Sequence, residues 1–415
     1  MTVIVSHPTG NPCLRAVLRA LEKNGLLAQY WTTLALPGEL AELTWLKNGV
    51  QRRLSQRHFG EAPWSKTKSR PWREAIRLAA LGARIESLTA HEAGWASVDG
   101  VYRDLDRAVA KRLRTDREPW RAVYAYEDGA LESFKAAHET GRLAIYDLPI
   151  THWRTLRCLL EEEAERLPEW ACTMEGLRDS AEKHARKDAE IEFADHIIVA
   201  SSFTRDSLSG IAGDRPVHVT PFGCPPPALT RPAGREASAP LQLLYAGHLA
   251  QRKGIADLIS AVGMLEIDWH LTLAGPRPAK VPASLDRFLS DPRVTWLGAI
   301  PHATLMEEMA RAHVFVFPSI AEGFGMVITE AMAAGLPVIT TPHTAGPDIL
   351  DEGIDGFIVP IRDPAVLADR ITRLAEDETQ RQEMAHAAKA KAAEMSWMRY
   401  ETQIGDLVTE WLDAR

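Results

Sequence analysis

Short β-branched runs alternate with helical stretches along this chain, in two series separated by a segment that suits neither. The first series contains TVIVSH at 2–7, AVYAY at 122–126, LAIYD at 143–147, HIIVAS at 196–201 and VHVTPF at 217–222. Helical patterns lie between them, at 13–27, 129–140 and in the charged run 161–195. The second series contains LLYAG at 243–247, HLTLAG at 270–275, VTWLG at 294–298, VFVFPS at 314–319 and PVITT at 337–341. Its helical patterns cover 254–265, 302–312 and 325–334, then run on from about 364. Strands that are apolar throughout are buried on both faces, and strand–helix alternation gives a parallel sheet. The spacer 221–240, PFGCPPPALTRPAGREASAP, is dense in Pro, Gly and Ala and reads as a linker. The fold class expected is α/β, with two facing Rossmann-like domains. The first is 1–222, the linker 223–240 and the second 241–396. Open sheets of this kind bind ligands outside the carboxyl ends of their strands, so two facing edges make one composite cleft. The stretch 41–121 is less regular and is expected to be mostly helical.

Composition removes other classes. The chain has 415 residues, 46% hydrophobic and 25% charged, enough to bury two cores without staples. Its four cysteines, Cys13, Cys158, Cys172 and Cys224, are too scattered for a zinc knuckle and suit a reducing compartment. The opening MTVIVSHPTG lacks the basic start and apolar run of a secretory leader. No apolar run reaches the roughly 18 residues of a membrane span. A cytoplasmic protein is expected. The net charge of −8 argues against nucleic acid as a partner.

One segment concentrates the chemistry. Directly after VFVFPS comes Glu322-Gly-Phe-Gly-Met-Val-Ile-Thr-Glu330-Ala-Met-Ala-Ala-Gly-Leu-Pro-Val. Two carboxylates flank a Gly-x-Gly turn that opens a helix. Gly323 and Gly325 let backbone approach a ligand closely. A helix N-terminus offers free N–H groups and partial positive charge to an anion. Glu330, further into the helix, is placed for two hydroxyls of a ribose. Together these features point to a bound sugar phosphate.

The segment resembles the E-x7-E motif of family 4 glycosyltransferases, which have the GT-B architecture. Gly247-His-Leu-Ala-Gln-Arg252-Lys253-Gly254 is similar to the family's GRLxxxKG loop, and Leu273-Ala-Gly275 to the loop after the next strand. Val294–Gly298 with Pro301 resembles the region that holds the base. The likeness is specific over 243–374 and looser in the first half. It implies that Arg252 and Lys253 grip the donor diphosphate and that Glu330 binds ribose. It implies that Glu322 contacts the donor sugar beside its reacting face, and that Gly247, Gly275, Gly323, Phe324 and Gly325 approach sugar and phosphates. Gly10 approaches the diphosphate from the opposite domain. On the acceptor side the family often has a His after a strand. Here that strand ends in Asp147, with His152 five residues on, and Glu127 and Asp128 follow the preceding strand. Trp397–Tyr400 resembles the family's last element, so the helix 397–415 is expected to pack back on the first domain. One departure stands out: His248 occupies the position where the family usually has Arg.

What the resemblance implies is a retaining glycosyltransferase with a nucleotide-diphosphate sugar as donor, UDP- or GDP-linked, and no obligatory metal or other cofactor. The acceptor is a glycan, a lipid-linked sugar or a small molecule. The rival on the same fold is a nucleotide-sugar epimerase acting on the donor alone. Asp104-Leu-Asp106 has the DxD form of metal-dependent enzymes, but it sits in a charged helical pattern and reads as a solvated helix face. The span 45–77 interleaves Trp45, Phe59, Trp64 and Trp72 with basic residues. Three readings stay open for it: a helical region with core tryptophans, peripheral contact with an anionic membrane or lipid-linked acceptor, or tryptophan platforms for an acceptor sugar.

Overall fold

The computed structural model describes residues 2–36, 57–115, 118, 120–226 and 239–414. Trp45, Lys47, Arg52, Arg53 and most of the expected linker lie outside them. Two all-parallel sheets organise the rest.

The first sheet is built from β1 (Thr2–Ser6), β2 (Leu27–Thr32), β3 (Thr67–Ser69), β4 (Trp120–Tyr126), β5 (Leu143–Leu148), β6 (His196–Val199) and β7 (Val217–Val219). Its order is β3-β2-β1-β4-β5-β6-β7. The centre is fully buried: β5, Leu-Ala-Ile-Tyr-Asp-Leu, exposes no residue. Two strands of this sheet, β2 and β3, escape the sequence pattern. β3 is only Thr-Lys-Ser, and its pairing with Tyr30–Thr32 is carried by backbone groups rather than an apolar face.

The second sheet holds β8 (Leu241–Ala246), β9 (Trp269–Ala274), β10 (Val294–Gly298), β11 (Val314–Phe317), β12 (Val338–Thr340) and β13 (Gly356–Ile358), in the order β10-β9-β8-β11-β12-β13. In both sheets the order reverses beside the first strand, so the loops after β1 and β8 splay from their neighbours and open a crevice. The two crevices face one another.

The chain returns to its start. The last helix, Trp397–Asp413, lies along the helix Pro12–Lys23. Arg19 Nε donates to Glu401 at 2.7 Å, and Gly405 leaves room for the Asn24 side chain. At the crossing, Phe222 packs against Phe324, Trp397 and Tyr400. No helix among the described residues is long and apolar enough to cross a membrane.

Asp104 and Asp106 do lie on a helix, Val98–Thr115, but the face is not solvated. Asp104 pairs with Arg70 at 2.9 Å. Asp106 is buried and accepts from the N–H groups of Glu132 and Ser133 at 2.8 and 2.9 Å. It caps a neighbouring helix, Leu131–Glu139, whose own Ala130 has no side-chain acceptor to offer.

Candidate active site

A cleft of about 380 Å³ lies between the facing sheet edges. Asn11, Cys13, Tyr126, Asp147 and Pro149 line it from the first domain. The second domain contributes Gly247, His248, Lys253, Glu322, Phe324 and Gly325, among others.

Two loops form the second domain's wall of the cleft, and each explains the other's shape. The loop after β8 ends at Gly254, whose φ of +73° suits glycine. A Cβ there would collide with the carbonyl of Pro318 on the loop after β11. The two loops therefore touch through backbone. The Arg252 carbonyl accepts from Ile320 N–H at 2.9 Å and from Ser319 Oγ at 3.1 Å. Arg252 Nη1 returns a bond to the Ala321 carbonyl at 2.9 Å.

Charge gathers where these loops meet. Lys253 Nζ pairs with Glu322 Oε2, and Arg252 Nη1 lies 3.3 Å from Glu322 Oε1. Burial pushes the Lys253 ammonium well down, and the neighbouring Arg252 pushes it further. Burial also lowers the Arg252 guanidinium. Two half-buried cations side by side need an anion. Glu322 provides one carboxylate for both of them, and the open cleft beyond accommodates more negative charge. His248 supplies little to this balance. Burial lowers its imidazole first, and Arg252 and Lys253 lower it further, against Glu175.

Gly325 has φ +87° and caps the helix Met326–Ala333. Among the described residues no protein acceptor meets the N–H groups of Gly323, Phe324 and Gly325. Glu330 stands four residues after Met326 and three after Val327, both of which line the cleft, so it shares their helix face. Its carboxylate accepts from His302 Nε2 at 3.0 Å. Burial raises it, against that histidine. Trp296 sits nearby on the sheet edge: its Nε1 donates to the Gly275 carbonyl at 2.9 Å, and Arg277 lies 5.2 Å over its ring.

The opposite wall centres on Asp147. Tyr124 donates to its Oδ2 at 2.7 Å. Burial pushes the carboxyl up to about 7, while the hydroxyls of Tyr124 and Tyr126 hold it down. Its proton is thus exchangeable near neutral pH. Gly10, half-buried, belongs to the loop that presents Asn11 and Cys13. In that loop His7 is buried and pushed down to about 4, so its neutral ring accepts from Thr9 N–H at 3.0 Å.

Three expected acceptor-side residues are used elsewhere. His152 is fully buried, does not line the cleft, and caps the helix Trp153–Arg166 with its side chain. Burial lowers its imidazole to about 4 even beside Asp188 at 3.2 Å. Glu127 is buried against Lys187 at 3.1 Å. Asp128 pairs with Arg186 at 2.7 Å and has a φ of +69°. Both complete a buried ion cluster on the helix Ala181–Glu192. Nothing in the local sequence marks them as structural; the compensating Lys and Arg lie about 60 residues on.

The two domains meet directly beneath the cleft. A Cβ on Gly323 would strike the Pro149 carbonyl, so only glycine allows this approach. The Gly323 carbonyl accepts from Ser201 Oγ at 2.6 Å and Thr204 Oγ1 at 3.1 Å. Thr151 Oγ1 donates to the Glu322 carbonyl at 3.0 Å. The sequence gives no sign of these hydroxyls, which belong to a different domain from their acceptors.

Several known proteins resemble this chain in sequence or fold. Residues 229–391 match the family described as Glycosyl transferases group 1. A glycogen synthase of Mycobacterium tuberculosis is 28% identical over 305 residues, which cover 70% of this chain and 69% of that one. A sucrose-phosphate synthase from Thermosynechococcus elongatus has the same fold, with TM-score 0.69 and 18% identity over the whole of both chains. HepE of Anabaena, solved with UDP-glucose, superposes with TM-score 0.63 and 16% identity, over 99% of this chain and all of that one.

Proposed function

We propose that the chain is a group 1 glycosyltransferase, and that it transfers a sugar from a nucleoside-diphosphate sugar with retention of configuration and no obligatory metal. The acceptor is a glycan or a lipid-linked sugar. The observation that carries the reading is the pairing of Arg252 and Lys253 with Glu322 beside a glycine-capped helix N-terminus, all facing Asp147 across an open cleft.

On this reading the diphosphate takes the place of Glu322 as counter-ion to the two cations. Arg252, Lys253 and the free N–H groups at Gly325 then stabilise charge as it develops on the leaving phosphate. Glu322 turns to the hydroxyls of the donor sugar. The bond from the anomeric carbon to the phosphate oxygen breaks, and the bond to the acceptor oxygen forms on the same face. The acceptor's proton passes to the departing phosphate oxygen. Asp147, on the acceptor wall, hydrogen-bonds a sugar hydroxyl and orients it. Glu330 takes the ribose hydroxyls in place of His302. UDP is the first nucleotide to try, because HepE was solved with UDP-glucose on the same fold.

Thermal stabilisation by UDP, GDP and ADP, with and without Mg²⁺, tests the reading on the wild type and on Glu330→Ala. A ligand at about 100 times its dissociation constant stabilises by roughly 2.7 kcal/mol. One nucleotide is expected to stabilise the wild type without metal and to lose that effect in Glu330→Ala. Stabilisation by none, or equal stabilisation of both proteins, overturns the donor site. Glu322→Ala is expected to reduce turnover more than nucleotide affinity.

A further inference from the structure

Among the described residues eleven large apolar side chains are exposed, and seven of them fall within 64–98. Trp72 is 77% exposed and Trp64 58%. The helix Pro71–Gly82 shows the reason. Its exposed positions include Trp72, Ala75, Ile76 and Ala79, which lie at helical spacing on one face, and all are apolar. Two of its three charged residues point the other way: Glu74 is buried and Arg77 lies half-buried 3.6 Å from it. A surface helix ordinarily exposes its polar face and buries the apolar one. This helix is inverted, and Leu81 and Ile85 extend the apolar surface past its end.

The rim of that surface is cationic. Residues 64–86 contain six Lys and Arg against two Glu, within a chain of net charge −8; Lys66, Arg70 and Arg77 pair with Glu22, Asp104 and Glu74, which leaves Lys68, Arg73 and Arg84 for the rim. Lys68 and Arg84 are exposed. Arg73 lies 4.3 Å over the ring of Trp95, an arrangement that keeps a cation beside a half-exposed indole. Exposed tryptophans within a basic rim match the level of anionic headgroups above an acyl layer. A second copy of the chain fits less well, since a two-fold contact would set this basic rim against itself.

The surface is tied to the cleft. Glu74, on the inner side of the helix, pairs with Arg57 at 2.6 Å. Arg57 Nη1 lies 3.5 Å from the Pro8 carbonyl, in the loop that presents Asn11 and Cys13 to the cleft. We propose that the first domain docks on an anionic bilayer through the Trp72–Ile76 face and takes its acceptor from that surface. The part concerning the acceptor rests on the glycosyltransferase reading above; the docking does not.

Co-sedimentation with vesicles of phosphatidylglycerol and phosphatidylcholine tests it, alongside vesicles of phosphatidylcholine alone. The wild type is expected to bind the anionic vesicles at low ionic strength and to release at high salt, with little binding to the neutral ones. Trp72→Ser with Ile76→Ser is expected to weaken binding at least tenfold, and Lys68→Glu with Arg84→Glu likewise. Thermal stabilisation by UDP should be the same in both double variants as in the wild type. Docking is overturned if the wild type stays in solution, or if both variants bind as it does. It is also overturned if sedimentation shows a dimer that the Trp72/Ile76 variant abolishes. Vesicle binding without nucleotide stabilisation would leave the docking and remove the donor site.

Discussion

Asp147 is the residue whose protonation the fold controls most consequentially. Its carboxyl ionises near 3.8 when solvated and at about 7 when folded. Between those values the folded protein holds a proton that the unfolded chain has released, so this group makes stability fall as pH rises from about 4 to about 7. Above 7 both states are ionised and the contribution levels off. Glu190, buried and raised to about 8, adds a slope of the same sign. The comparison of variants isolates Asp147. Asp147→Asn keeps an acceptor for the Tyr124 hydroxyl and removes the proton. Its stability relative to wild type, from urea titrations at pH 4.5 and 7.5, should rise with pH. An unchanged difference across that window would mean that Asp147 is ionised in the folded protein. The strand LAIYD marks Asp147 as a candidate, because a strand's last residue at the carboxyl edge faces ligand. The same logic misplaces His152, Glu127 and Asp128. Their partners Asp188, Lys187 and Arg186 are remote in sequence, and only the folded chain brings them together.

At the scale of elements, the loops after β8 and β11 are legible because glycine spacing encodes backbone contact. Gly254 is the clearest case. A left-handed conformation costs an ordinary residue roughly 1–2 kcal/mol, and here a Cβ also meets the Pro318 carbonyl. Gly254→Ala should therefore destabilise by more than that conformational cost. It should also weaken nucleotide binding, since Arg252 and Lys253 immediately precede it. A melting temperature within a degree of wild type would show that the two loops separate without penalty. Gly82→Ala is the control, a helical glycine where a Cβ meets nothing within 4 Å. β3 is illegible for the opposite reason. Three polar residues pair with β2 through backbone alone, and a periodicity search has no side-chain signal to find. The helix Pro71–Gly82 is read correctly as helical in kind, yet its tryptophan is outside the core. Periodicity locates the apolar face of a helix but not the side of the molecule on which that face lies.

At the scale of the whole molecule, the cleft depends on how the two domains are held, and here one buried carboxylate matters most. Glu163 belongs to the helix Trp153–Arg166, which follows β5 in the first domain, and it has no exposed surface. Three groups converge on it: Arg166 Nη2 at 2.7 Å, Gln251 Nε2 at 2.7 Å, and Arg362 Nε. Gln251 and Arg362 are in the second domain. Arg166 in turn bridges to Asp257 at 2.8 Å, and Gln251 Nε2 reaches the same carboxylate at 2.8 Å. The network thus runs from a first-domain helix to the residue just before Arg252 and Lys253. Removing one member of a buried ion network costs about 3–5 kcal/mol, because the remaining charges lose their counterpart. Much of that cost here falls on the domain interface, since the cations are partly exposed and regain water once the domains part. Glu163→Ala should therefore open the cleft more readily than it unfolds either sheet. The expected signs are a larger radius of gyration in small-angle scattering and a raised KM for the donor. Glu163→Gln, which keeps an acceptor for the Arg166, Gln251 and Arg362 donors, should leave the radius nearer the wild-type value. If Glu163→Ala keeps the wild-type radius and donor KM while losing stability, the network holds its own helix and the domains are joined elsewhere. The hydroxyls of Ser201 and Thr204 on Gly323 are then the next place to look.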